Sequence, residues 1–410
     1  MTQELARRVA FTIGALLLFR LGTYIPLPGI DPETWEHFFG TQAGGILGMF
    51  NQFAAGGIHR MSIFALGIHP YLSAAIIIRL LSLVWPGVGS LDRSGEAGRR
   101  RVAHYTLILT LLMAGLQAYG MAMGLQGAGG NLVSDPGPFF LLSTTITLTG
   151  GAFFLVWLSE QVTRHGIGNG LALILIFGVV VELPRGLVTM LELGRQGAAP
   201  DNLTLKILLA AGAVIVLVVF LESARRDIRV EFAERKVGER VLPARSSVLS
   251  IKINSAGVLM PAMMTVWTYW VLKWAGHFLN DSHPWLGAAI ANHHLLLQVI
   301  LVFVFCFVYA AYVVDPDHAA ESLHKRGGVI PGIEPGELTA NYLDRVISSM
   351  TVIGAIYLTA VWLFPAVLIA NFNVPFYFSG ETTMIVVCTV LDIRTQVRDL
   401  LRINAGEKRQ

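Results

Sequence analysis

The stretch Met49–Leu81, MFNQFAAGGIHRMSIFALGIHPYLSAAIIIRLL, decides how this chain is read. A soft segment, Ala54-Ala55-Gly56-Gly57, runs straight into a membrane-length apolar run that His69-Pro70-Tyr71 interrupts. A helix meant only to span lipid gains nothing from such a start, because each Gly costs about 1 kcal/mol of helix stability relative to Ala. The stretch therefore reads as a marginal segment that can be displaced, followed by a span over 62–84.

Working outward, hydrophobic residues make up 54% of the 410-residue chain and charged residues 14%. Soluble domains usually hold roughly 45–50% and 25%, so the class is polytopic membrane protein. About 20 apolar residues cross a 30 Å hydrocarbon core. Ten stretches meet that length, near 9–28, 62–84, 103–124, 138–159, 169–192, 204–222, 255–277, 294–314, 342–369 and 377–396. Lys and Arg collect in cytoplasmic loops, and most of the 30 basic residues fall in the segments that lie inside if the N-terminus is inside. Both termini are then cytoplasmic. The start ELARRVAFTIGALLLF has the basic-then-apolar pattern of a signal peptide, but GTYIPLPG follows instead of a small-residue cleavage site, so it reads as a retained first span.

The net charge of +3 is mostly this orientation bias. The run Arg225 to Lys252 exceeds what orientation needs and reads as a docking surface. Two inside loops, 223–253 and 315–341, stand out for length. The second carries Gly327-Gly328, Pro331-Gly332 and Pro335-Gly336, turn dipeptides that shape a rigid hairpin.

Enzyme signatures are absent: no GxxxxGK[ST], HExxH or GxSxG, and no cysteine pair at zinc spacing. Cys306 and Cys388 sit in apolar spans and read as small buried hydrophobes. His277, His283, His293 and His294 fit no defined metal site and read as solvated loop residues. No cofactor or metal is expected. Polar residues inside spans are more informative, since each normally finds a partner or faces water. Ser73, Gln117 and Asn254 are such residues. Arg20, Arg60 and Arg79 lie close enough to span ends to snorkel to water.

Several ordered motifs carry a family resemblance: Ala15–Asp31 (ALLLFRLGTYIPLPGID), Gly95–Arg101 (GEAGRRR), Trp157–Gly170 (WLSEQVTRHGIGNG), Lys252–Val258 (KINSAGV) and Gly327–Arg345 (GGVIPGIEPGELTANYLDR). Together with SIFALGI-P-Y-SA-II in the opening stretch, they resemble the SecY/Sec61-alpha family of protein-conducting channels over nearly the whole chain. The resemblance implies an all-α fold of ten transmembrane helices in two inverted five-helix halves, 1–197 and 198–410, around a central pore with a lateral gate. It implies a plug near 50–61, built from Phe50, Asn51, Phe53, Ala54, Ala55, Gly56, Gly57 and Ile58. A pore ring falls on Ile68, Leu72, Leu171, Leu175, Met263 and Ile385, although the stretch NSAGVLMPAM that ends at Met263 carries one residue more before its proline than the family pattern. Ser73, Gln117 and Asn254 fall at the lateral gate. Arg229, Arg235, Lys236, Arg240, Arg245, Lys325, Arg326 and Glu334 fall on the loops that dock the ribosome or the SecA ATPase. Glu334 reverses the charge of the arginine that the family pattern PGIRPG carries there.

The implied function is a passive, non-enzymatic channel in the bacterial inner membrane that passes unfolded secretory polypeptides and releases transmembrane segments sideways. The implied partners are SecE, SecG, SecA, the ribosome, signal sequences with their precursors, SecDF, YidC and membrane lipids. A secondary transporter also uses inverted halves and midplane polar sites, but needs intramembrane carboxylates. Glu160, Glu182 and Glu222 are expected at span ends, which favours the channel.

Overall fold

The computed structural model describes residues 3–42, 51, 54–93, 95–128, 132–196, 203–232, 235–237, 240–242, 245–252, 285, 293–313, 316–372 and 380–407. In chain order the elements are α1 (Gln3–Gly22), α2 (Pro32–Gln42), α3 (His69–Val84), α4 (Pro86–Arg93), α5 (Glu96–Gly127), α6 (Pro138–His165), α7 (Gly170–Arg195) and α8 (Leu203–Ser223). There follow β1 (Arg225–Phe232), β2 (Arg235–Val237), β3 (Arg240–Leu242), β4 (Arg245–Lys252), α9 (His294–Val313), α10 (Pro316–Lys325), β5 (Gly328–Val329), α11 (Glu337–Phe372) and α12 (Gly380–Glu407). Among the described residues five helical stretches are long and apolar enough to cross a membrane: Glu96–Gly127, Pro138–His165, Gly170–Val188, Leu205–Ser223 and Glu337–Phe364.

Two expected boundaries shift. The first helix stops at Gly22 rather than 28, because the prolines Pro26 and Pro28 follow and cannot continue a helical hydrogen-bond ladder. The second apolar helix starts at His69 rather than 62, with Pro70 in its first turn, where a missing N–H costs nothing. Residues 54–67 are turns apart from a bridge at Ser62. The expected span 255–277 lies outside the described residues.

The chain groups into two compact units, 1–209 with 368–410, and 210–367. In the first, α3 packs on α5, α5 on α6, α6 on α7, and α7 on α12. Loop ends are tied to helices by side chains: the Thr12 hydroxyl accepts from the Ile167 N–H (3.0 Å), and the Gln396 amide oxygen accepts from the Gly168 N–H (2.8 Å). Asn169 caps α7, its side chain accepting from Leu171 N–H (3.0 Å), which satisfies a donor that every helix start leaves open. In the second unit, β4, β1 and β5 form one antiparallel sheet and β2 pairs with β3. Buried Ile228, Val230, Ala320, Ile330, Ala340, Leu343 and Ile347 form its core.

Candidate functional site

The segment 54–68 is built from turns because its residues permit little else. Gly56 and Gly67 take left-handed backbone (φ 76° and 57°), which costs glycine almost nothing. Ala55 (φ 53°) and Met61 (φ 43°) take it without that freedom, at roughly 1–2 kcal/mol each, so surrounding contacts must impose the shape. Local bonds do part of this: Gly57 N–H donates to the Ala54 carbonyl (2.9 Å), Ser62 N–H to Gly57 (2.8 Å), and His59 N–H to the Asn51 side chain (2.7 Å).

The rest comes from the socket. Ala54 and Ile58 pack in one buried cluster with Ala114, Ala118 and Ala122, a four-residue stripe on one face of α5 whose small side chains allow close approach. The Trp35 indole donates to the Ile58 carbonyl (2.8 Å). Leu27 N–H donates to the Met61 carbonyl and Ile63 N–H to that of Ile25 (2.9 and 3.0 Å). A side chain at Gly22 would collide with the Phe64 ring, and one at Gly151 with the Ile63 carbonyl. Phe64 stacks on Phe154 with centroids 5.7 Å apart. The expected soft segment is therefore fully packed, with Ala54 and Ala55 wholly inaccessible. Of the remaining residues expected in the plug, Asn51 is buried, while Phe50 and Phe53 lie outside the described residues.

A charged group that sequence reasoning missed closes this socket. The Arg20 guanidinium donates to the Ala55 carbonyl (2.8 Å) and to the Tyr24 hydroxyl (2.8 Å). Arg60 donates to the carbonyls of Ala55 and Gly56 (3.4 and 3.3 Å). Both guanidinium carbons lie over the Tyr24 ring, 4.7 and 4.4 Å from its centre. Both arginines are half-buried and bond turn carbonyls rather than only reaching for water as expected. Glu182 is the second correction. It lies inside the apolar stretch Gly170–Val188 of α7, not at its end, and is 6% exposed. The available signal was its place, twelve residues from the start of α7, about 18 Å along a helix.

The expected ring residues are placed as follows. Ile68 caps the start of α3 and Leu72 lies one turn on, both buried. On α7, Leu175 is wholly inaccessible and Leu171 half-buried. Ile385 is buried on α12, and Met263 lies outside the described residues. Ser73 is buried on α3, and Gln117 is half-buried on α5, which packs against α3. Asn254 lies outside the described residues.

In the second unit the two long loops are joined. Glu231 pairs with Val329 and Phe232 with Gly328, so β5 extends the sheet of β1 and β4. A Cβ at Gly328 would lie 2.9 Å from the Phe232 ring and 3.0 Å from Val230. Strand β1 alternates: Ile228 and Val230 are buried, while Asp227, Arg229 and Glu231 are exposed. Arg235 and Lys236 lie on β2 and Arg240 on β3; Arg245 opens β4 opposite Phe232. Lys325 bonds Glu321 (2.6 Å) and holds its carboxyl below the usual range; Arg326 is exposed. Exposed Glu334 sits on a turn secured by the Thr339 hydroxyl, which donates to the Glu334 carbonyl (2.8 Å). Thus residues 316–336 are a helix, a short strand and turns rather than a simple hairpin, and α11 begins at Glu337. Among the described residues no three His, Cys, Asp or Glu side chains come together as metal ligands; His277 and His283 lie outside them.

Comparison with known proteins bears on both the buried segment and the basic sheet. The chain is 40% identical over 407 residues to the protein translocase subunit SecY of Vibrio cholerae, covering 96% of this chain and 91% of that protein. It is similar in fold to a solved protein-conducting channel (TM-score 0.66, 19% identity, covering 98% of this chain and 93% of that one). It is likewise similar to a structure describing how the SecY plug domain stabilises the closed channel and maintains a membrane seal (TM-score 0.65, 19% identity, covering 98% and 93%). The family model SecY matches residues 62–394. With that match over most of the chain and a relative aligned along nearly its full length, the chain belongs to the SecY family.

Proposed function

We propose that this chain is the passive channel subunit of a bacterial protein translocase, passing unfolded polypeptides across the inner membrane and releasing transmembrane segments into it. The observation that carries the reading is the segment 54–68: irregular backbone, fully packed among helices, strained at Ala55 and Met61, and so built to occupy one place and to be displaced from it. Non-helical backbone at membrane depth is tolerated only where protein or a water-filled cavity surrounds it.

In this reading residues 50–61 are the plug. Ile68, Leu72, Leu171, Leu175, Met263 and Ile385 form the ring, whose flexible aliphatic side chains seal around a moving chain and resist water when empty by dewetting. Ser73, Gln117 and Asn254 hold the lateral gate through bonds of about 0.6–2 kcal/mol, weak enough to yield to a signal helix. The architecture is ten spans in halves 1–197 and 198–410 with both termini cytoplasmic. The sheet of β4, β1 and β5 with the β2–β3 hairpin is the docking platform for SecA or the ribosome, using Arg229, Arg235, Lys236, Arg240, Arg245, Lys325, Arg326 and Glu334. SecE and SecG complete the complex, and SecDF and YidC act with it.

Reconstitution in vesicles with SecA, ATP and a precursor tests the function. The expected outcome is ATP-dependent protection of the precursor from external protease; an ATP-independent solute flux with no protected precursor would overturn it in favour of a transporter.

A further inference from the structure

A carboxylate inside a membrane helix is costly unless something answers its charge. Glu182 is nearly inaccessible, yet its Oε1 points at the plug backbone: a Cβ added at Gly56 would collide with that oxygen and would lie 2.7 Å from Arg60 Nη1. One point thus touches both groups, which places the carboxylate and the guanidinium side by side across Gly56. Arg60 bonds the Ala55 and Gly56 carbonyls, and Arg20 bonds that of Ala55 from the other element. The two cations share the Tyr24 ring. Two positive groups and one negative group therefore border Ala55, one of the two residues whose left-handed backbone strains the segment, and its neighbour Gly56.

We infer that Glu182 is a positioning residue that latches the plug closed through Arg60, with Arg20 bracing the same Ala55 carbonyl, and so sets how strongly a signal sequence must bind before the channel opens. This rests on the plug reading above. Moving the segment out strips Arg60 away and leaves the Glu182 carboxylate in the helix interior without that cation. The open state bears that penalty and the closed state does not, so a precursor must supply it through its own preference for the open channel. Gly56 is required at the latch because any side chain would occupy the space where the carboxylate sits.

The test uses the complex purified with its native partner subunits, in planar bilayers without precursor and in vesicles with precursors bearing intact or defective signal sequences. Glu182→Gln, which keeps size and removes charge, is expected to raise resting ion leak about tenfold, equivalent to about 1.4 kcal/mol, and to admit the defective precursor. Glu182→Asp keeps the charge and restores part of the seal; an equal leak in the Asp and Gln forms would mean packing alone and overturn the latch. The double variant Glu182→Gln/Arg60→Gln is expected to leak no more than either single variant, since coupled groups are non-additive; multiplied effects would also overturn it. In a Cys306→Ala/Cys388→Ala background, Ile58→Cys should react with a thiol reagent about tenfold faster once Glu182 is Gln, which reports plug position without any translocation. Deleting Phe53–Gly57 separates the two readings. A leak from the deletion but not from Glu182→Gln removes the latch and keeps the plug, whereas no leak from either removes the plug itself.

Discussion

The segment 54–68 and the sheet of β4, β1 and β5 are both departures from helix in a helical chain, yet they are made in opposite ways. The first is mostly buried, with Ala54 and Ile58 in one cluster with the alanine stripe of α5, and its polar groups are answered one by one by Arg20, Arg60, Trp35 and Asn51. The second is amphipathic: Ile228 and Val230 face a core while Asp227, Arg229 and Glu231 face out. One needs its whole environment to hold a shape that local preference disfavours at Ala55 and Met61. The other follows the two-residue alternation of an ordinary half-buried strand. The lesson is that an irregular segment depends on contacts made by others, whereas an amphipathic strand depends on an alternation it carries itself.

Breaking the first region should change the resting channel, and breaking the second should change only what drives it. Deleting Phe53–Gly57 has the largest expected effect, a rise in ion leak of more than about tenfold in planar bilayers with looser signal selectivity and insertion retained. Gly328→Val should come next: the added side chain meets Phe232 and Val230, and overpacking costs about 1–3 kcal/mol. SecA-driven translocation should fall while the leak stays at the wild-type level, and a rise in leak would erase the distinction between the regions.

Trp35→Phe should act on the plug alone. It removes the indole donor from the buried Ile58 carbonyl, which still accepts from the Met61 N–H, a loss of about 0.5–1.5 kcal/mol, and the leak should increase while motor binding is unchanged. Glu334→Arg sharpens the platform side. With the charge reversed from the family pattern, the cognate SecA is expected to carry a compensating Lys or Arg, so the arginine form should translocate less well; a clear gain would mean a weakened motor interface instead. The smallest effect is expected for Arg229→Ala, an exposed strand position whose loss should change stability by no more than about 0.5 kcal/mol but lower SecA or ribosome binding at low salt, measured by sedimentation.

Composition, span spacing and ordered motifs made the membrane class and the family legible, because hydrocarbon thickness dictates how long an apolar run must be. The glycine-rich, non-helical start at Ala54–Gly57 and the charge density of Arg225–Lys252 were also readable, since glycine content and charge density are local properties. What required three dimensions was which distant groups meet. Arg20 and Arg60 looked like residues seeking water until Tyr24 and the Ala55 carbonyl were found beside them. The pairing of β5 with β1 joins Phe232 to Gly328 across almost a hundred residues of chain. Glu182 looked like a span-end carboxylate. Its charge and its place in the apolar run are properties of the sequence, but its surroundings come from a glycine in another segment that leaves room for it, and only the approach of α7 to the segment 54–68 decides that.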